Sequence, residues 1–348
     1  MDTYYGYQTA LWYWRLIAAR GRSPVRVSRI LEPGRYAYTE RQELDCRPNW
    51  ADPELIQYSG GCVHPLVFNR DRRKSEGSQA WHLWNKAPRD AFSPAGEGSF
   101  VASPEFCFLQ MASVLSFSEL VLLGMEFCGF YCLDPTEDEG FGKRPVALTN
   151  CARIWDFLVE NEGARGRRAA EVALSYVADG AASPMESAIY LLLVLPYKRG
   201  GYGLPRPLLN CEIKLDEKAR KLSGGRSCWG DLCWPDSHLD LEYLGRPSHE
   251  GANNMLSDRR RTLAIEEAGY EVIEITKEQV FDLVAFDIVA RRIAAKLGKR
   301  LDTKKCGVAP ERQALSRVLL DFMALENVAA EKEDVPETEE GRVFGRRA

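Results

Sequence analysis

The hydrophobic pattern is most legible between Cys228 and Thr276. Apolar and polar residues alternate at Leu239, Leu241 and Tyr243, the period-two signature of a half-buried strand. Residues 229–234 read as a strand before it, closed by the Pro235-Asp236 turn. Residues 253–268 have helical spacing with Gly269 as the stop, and 271–276 alternate again through Val272, Ile273 and Ile275. Strand, turn, strand, helix, strand is the order of an α/β unit. Acids fall near the middle of the first strand (Asp231) and the end of the second (Glu242). Two adjacent strands with carboxylates at one edge suit a divalent cation, because hard cations take anionic oxygen ligands.

The rest of the chain is read in the same way. Residues 10–19 form an aromatic-rich helix candidate, followed by a second helical piece at 25–31. With Arg15, Arg20, Arg22, Arg26 and Arg29, this start is either part of a helix-turn-helix reader or a basic hairpin that packs Trp12, Trp14 and Leu16 inward. Residues 63–68 and 80–84 are short strand candidates. Ser103-Pro104-Glu105 opens a helix to about residue 114, and Ser116 with Glu119 forms a capping box for a nearly all-apolar helix through Phe127. The acidic loop 136–143 marks a boundary. Helices follow at 154–160, 165–178 and 184–195, then a Gly/Pro-rich link and a strand at 208–215. Residues 281–297 form an amphipathic helix with Arg291, Arg292 and Lys296 outward. From Glu326 the chain turns acidic and polar, too poor in apolar area to offset its chain entropy, so 326–348 is expected to be a disordered tail.

Composition narrows the classes. At 348 residues there is room for two domains. A net charge of -4 excludes a uniformly cationic coat for nucleic acid, though a local basic face stays open. The 10 Cys include no CxxC pair, and Cys128 with Cys132 lacks the spacing of a structural zinc site, so buried thiols in a reducing cytoplasm are the expectation. No secretory signal or membrane-length apolar run is seen, so no membrane partner is expected. Walker A, GxGxxG, HExxH and GxSxG motifs are absent.

Asp231-Leu232-Cys233-Trp234-Pro235, Glu242-Tyr243, His249 and Asp258-Arg259-Arg260-Arg261, with Ser183-Pro184-Met185-Glu186 upstream, stand in a recognisable order. In order and spacing they resemble the PD-(D/E)xK nucleases, and more closely the very-short-patch-repair endonuclease branch. The resemblance covers about residues 165–302. It implies a restriction-endonuclease-like mixed sheet flanked by helices, DNA as partner, and Mg2+ or another divalent metal held by Asp231 and Glu242. It implies catalytic roles for Glu186, Asp231, Glu242, His249 and Asp258, and DNA contacts from Arg259, Arg260 and Arg261. Leu244 departs from the pattern, which has an acid or a Lys there. Residues 1–150, an α+β region, resemble the body of AbiEi-like antitoxins through Val101-Ala102-Ser103-Pro104-Glu105, Phe108-Leu109-Gln110-Met111-Ala112 and residues 120–124. That resemblance implies a cognate toxin as partner.

Each residue also has a plainer reading. Asp231 and Glu242 suit ordinary strand surface. Glu186 suits the first turn of a helix, where a carboxylate meets free amides. His249 has a pKa range fit for proton transfer at neutral pH but also reads as an exposed loop residue. Asp258 suits positioning of His249 or a turn cap, and three consecutive Arg read equally as a solvated helix face. Asp240 shares a strand face with Glu242. The reading reached is a metal-dependent endonuclease-like protein, with a non-catalytic DNA-binding regulator on a degenerate nuclease fold as the alternative.

Overall fold

The computed structural model describes residues 2–19, 62–70, 79–84, 87–88, 90–96, 98–245, 251–301 and 310–324, with the backbone alone at 18–19 and 251–258. The second N-terminal helical piece, His249 and the acidic tail lie outside the described residues. The described chain is α/β, with mixed sheets flanked by helices.

The N-terminal sheet is built around β1 (Thr3–Tyr5), which pairs antiparallel with β2 (Pro65–Val67) and parallel with β5 (Ser99–Ala102). β3 (His82–Leu83) and β4 (Phe92–Pro94) complete the order β3-β2-β1-β5-β4. Helix α1 (Tyr7–Ala19) buries Trp12 and Trp14. Its Arg15 also turns inward, donating from Nε and Nη2 to the two carboxylate oxygens of Glu126 at 2.8 and 2.7 Å. A side chain committed to a buried bidentate pair does not read bases, so Arg15 belongs to the packing alternative.

Helix α2 (Pro104–Met111) starts where Ser103 Oγ accepts from Phe106 N–H, and α3 (Phe117–Phe127) starts at the Ser116–Glu119 capping box, as its sequence requires. The first ends at Met111, short of residue 114. The acidic loop at 136–143 is a hairpin turn: β6 (Tyr131–Leu133) pairs with β7 (Phe141–Lys143). Helices α4 (Cys151–Glu160) and α5 (Arg167–Leu174) follow, the latter shorter than the 165–178 expectation. Helix α6 (Pro184–Val194) is buried along its whole length. Apolar side chains from Tyr4 to Met323 share one continuous buried cluster.

The second sheet has the order β11-β10-β9-β8, with β8 (Leu208–Lys214), β9 (Ser227–Trp234), β10 (Leu239–Leu244) and β11 (Glu271–Thr276). β8, β9 and β10 run antiparallel in turn. The crossover helix α8 (Gly251–Glu267) returns the chain so that β11 pairs parallel to β10. A short helix α7 (Glu217–Ser223) joins β8 to β9 and packs with α8 over a second, smaller apolar cluster. The expected helix at 281–297 is α10 (Leu283–Lys296), and a short helix that was not expected, α9 (Lys277–Phe281), precedes it. Asp282 breaks them by capping Val284 and Ala285 N–H groups. A last helix, α11 (Pro310–Ala324), closes the described chain.

Candidate functional site

The site is a row across the second sheet. β8 pairs Leu209 with Leu232 and Cys211 with Gly230, so Asn210 stands opposite Asp231. β10 pairs Leu241 with Leu232, and the next step puts Glu242 opposite Asp231 on the two interior strands. Residues opposite one another in an antiparallel pair share a face. Along this row side chains take over from the backbone ladder. Tyr243 N–H donates to Asp231 Oδ2 at 2.8 Å. Asn210 has a left-handed φ of 46, which Asn tolerates better than most residues, and its Nδ2 donates to Gly180 O (2.9 Å) and Glu186 Oε2 (2.7 Å). Gly230 is required beside the row, since a Cβ there would sit 2.5 Å from both Asp240 Oδ1 and Cys233 Sγ.

Glu186 reaches the row from the first turn of α6. Its carboxylate accepts from Ala182 N–H at 2.8 Å and Ser183 Oγ at 3.0 Å, besides Asn210. Ser183 Oγ in turn accepts from Glu186 N–H. The expected helix-start role of this residue holds, and its carboxylate also meets the Asn210 amide on β8.

Four carboxyl groups therefore crowd one region, and their electrostatics show it. Burial, then Asp231, pushes the Glu186 carboxyl up to about 7. Burial, then Glu242, pushes Asp231 up to about 7. Glu242 is raised by burial and by Asp240, against the opposing pull of Arg261. Asp240 is raised by burial, with Cys233 Sγ donating to its Oδ1 at 3.1 Å. Among the described residues, Arg261 is the cation bonded to this cluster. Its Nη1 and Nη2 reach the two oxygens of Glu242 at 3.1 and 2.5 Å, and Nη1 also donates to Trp229 O at 2.8 Å. Four acids against one guanidinium leave an excess of negative charge that protons or a further cation must neutralise.

Of the other expected residues, Arg259 and Arg260 are exposed on α8, while Arg261 folds back onto the sheet. Asp258 lies on the backbone of α8 and His249 outside the described residues. Leu244 is 43% exposed at the end of β10, in register with Thr276. The strand alternation placed Asp240 on the face of Glu242, while Asn210 was missed. An Asn inside a strand is disfavoured on propensity, and that was the available signal. Among the described residues, only Cys128, Cys151 and Asp179 bring three metal-ligating atoms within 4.8 Å of one another, so the acidic row is not gathered that tightly. No described helix is long and apolar enough to cross a membrane.

No family model matches the chain, and no solved structure matches it. Two uncharacterised proteins, from two strains of Mycobacterium tuberculosis, are 30% identical to it over 171 residues. The match covers 46% of this chain, which spans 56% of the length of those relatives.

Proposed function

We propose that this chain is a restriction-endonuclease-like, metal-dependent DNA endonuclease similar to the very-short-patch-repair branch, with activity reduced by Leu244. The observation that carries the reading is the excess of buried carboxyl charge shared by Glu186, Asp231 and Glu242. Structural sites rarely collect acids without matching bases, because each buried charge is costly to hold. Asp231 and Glu242 are the residues that would hold Mg2+ or another divalent cation, and their oxygen donors fit its hardness. When bound, such a cation polarises the phosphoryl group and makes a water more acidic.

The chain's own residues do the rest. Tyr243 N–H and Asn210 fix the carboxylates of Asp231 and Glu186. A carboxyl raised to about 7 is suited to accept and return a proton near neutral pH, which is the role assigned to Glu186. Arg259 and Arg260, exposed on α8, suit phosphate contacts that position DNA without choosing its sequence. His249 and Asp258 keep their expected parts in proton transfer and in orienting that His.

A second reading is favoured by one arrangement. Arg261 already engages both oxygens of Glu242, and Leu244 supplies no charge at the strand end. A regulator or antitoxin-like protein on a degenerate nuclease fold would look like this, with a cognate toxin as its further partner. Incubation of supercoiled plasmid with the protein, with and without Mg2+ or Mn2+, separates the two. Metal-dependent nicking that is lost in Asp231→Asn supports the enzyme. Retarded DNA migration without nicks under any cation supports the regulator.

A further inference from the structure

A second cluster lies away from the acidic row, at the junction between the N-terminal helices and α6. Cys128 caps the C-terminal end of α3, Cys151 opens α4, and Asp179 stands in the connection to α6. The two sulfurs and a carboxylate oxygen lie within 4.8 Å of one another. We propose that Cys128, Cys151 and Asp179 form a binding site for a thiophilic divalent cation of the zinc class, with solvent completing its coordination.

The backbone holds these ligands in place without any ion. Cys128 O accepts from Gly180 N–H at 3.0 Å, and Phe130 N–H donates to Ala181 O at 2.6 Å, so the end of α3 is laced to the segment that carries Asp179. Gly129 allows this approach, because a Cβ there would sit 2.6 Å from Ala181 O. Cys151 N–H donates to Asp179 Oδ1 at 2.8 Å, while Asn150 caps the same helix through Arg153 N–H. Asp179 is thus oriented by a helix-start amide, the kind of outer-sphere support that tunes a metal ligand. Two thiolates on one zinc stand roughly 3.8 Å apart at tetrahedral angles and ~2.3 Å bonds, a spacing that fits within this cluster.

Cys128 is buried, Cys151 half-buried and Asp179 exposed, which leaves an open side for a solvent ligand. The Cys128 thiol is raised well above its ordinary range, first by its hydrogen bond to Cys151 and then by burial. A cation at this place would displace thiol protons, since a coordinated sulfur is a thiolate. Its structural effect would be to clamp α3, α4 and the approach to α6 together. Gly180, next to Asp179, accepts from the same Asn210 amide that supports Glu186, so the clamp stands one hydrogen-bonded residue from the acidic row. The inference does not depend on nuclease activity.

The test is a titration of the full, reduced chain with Co2+ and then Zn2+, read by absorbance and by melting temperature. The expected result is one equivalent of Co2+ with thiolate charge-transfer absorption, displaced by Zn2+, and a higher melting temperature with metal. Cys151→Ser should lose about half of that absorption and bind at least tenfold more weakly, since even an outer-sphere partner is worth about 10–100-fold. Asp179→Asn keeps the acceptor for Cys151 N–H, so its fold is preserved while its affinity falls. Cys132→Ser, whose sulfur bonds Gly142 O instead, should match the parent. Absence of a thiolate–cobalt band in the reduced parent, or an unchanged titration in both Cys151→Ser and Asp179→Asn, overturns the proposal.

Discussion

Replacing Glu186 by Gln tests whether burial and the neighbouring Asp231, rather than hydrogen bonding, set the state of this carboxyl. The carboxyl rises from 4.5 in isolation to about 7 in the fold. A raised carboxyl stabilises the fold fully below its unfolded pKa and loses that contribution as pH rises through the folded pKa, because the native state binds the extra proton. The loss should therefore fall between about pH 4.5 and 7. That rise corresponds to a ceiling of about 3.4 kcal/mol, and sharing the burden with Asp231 brings the expectation to about 1–3 kcal/mol. Three donors to the carboxylate oppose this: Ala182 N–H, Ser183 O–H and Asn210 Nδ2. Gln keeps an oxygen where Oε2 accepts two of them and turns its amide toward Ser183 Oγ, which can accept. Urea unfolding followed by tryptophan fluorescence should give near-equal stabilities at about pH 4 and a more stable variant at pH 8. A variant less stable at pH 8, with the parent's pH slope retained, would show that the hydrogen bonds win and refute the argument.

Three further outcomes follow from the same geometry. Arg261→Gln removes the guanidinium from Glu242 and should raise Mg2+ affinity in calorimetry; an affinity that falls would mean Arg261 helps to build the site. Leu244→Asp restores an acid at the strand end and should raise plasmid nicking about tenfold or more, against the hundred- to thousandfold typical of one preorganised group. A variant as inactive as the parent, with calorimetry showing no metal binding in either, speaks against the nuclease reading. Arg15→Met strands Glu126 in the core and should cost about 3–5 kcal/mol in chemical denaturation, whereas a loss under ~1 kcal/mol would show that water reaches the pair.

What sequence could supply was local. Alternation at Leu239, Leu241 and Tyr243 matched a strand at Leu239–Leu244, and the Pro235-Asp236 turn matched the short helical turn before it. Ser116 with Glu119, and Ser183 before Pro184 and Glu186, marked helix starts that the fold uses. Patterns of apolar spacing found the helix at 281–297 but missed the short α9 before it, since five residues are too few to show a helical stripe and Asp282 re-caps the chain between the two. They also read 136–143 as loop, since a three-residue strand rich in Gly and Lys has too little alternation to register. Long-range company was the least legible. Asn210 meets Glu186 only through strand register, and Cys128 meets Cys151 only through the packing of helix ends, neither of which leaves a spacing motif. The partner of Arg261 was hidden likewise: three consecutive Arg look alike until the helix sets one of them against Glu242.

The central claim is that the row of Asp231 and Glu242 takes up a hard divalent cation. Calorimetric titration with Mg2+ at pH 8 tests it most directly, because Mg2+ has little affinity for thiolates and does not report on Cys128 and Cys151. The account predicts one Mg2+ per chain at pH 8, weaker binding at pH 6 as the raised carboxyls take up protons, and loss of binding in Asp231→Asn. Mg2+ heats identical in the parent and in Asp231→Asn, at both pH values, would contradict it.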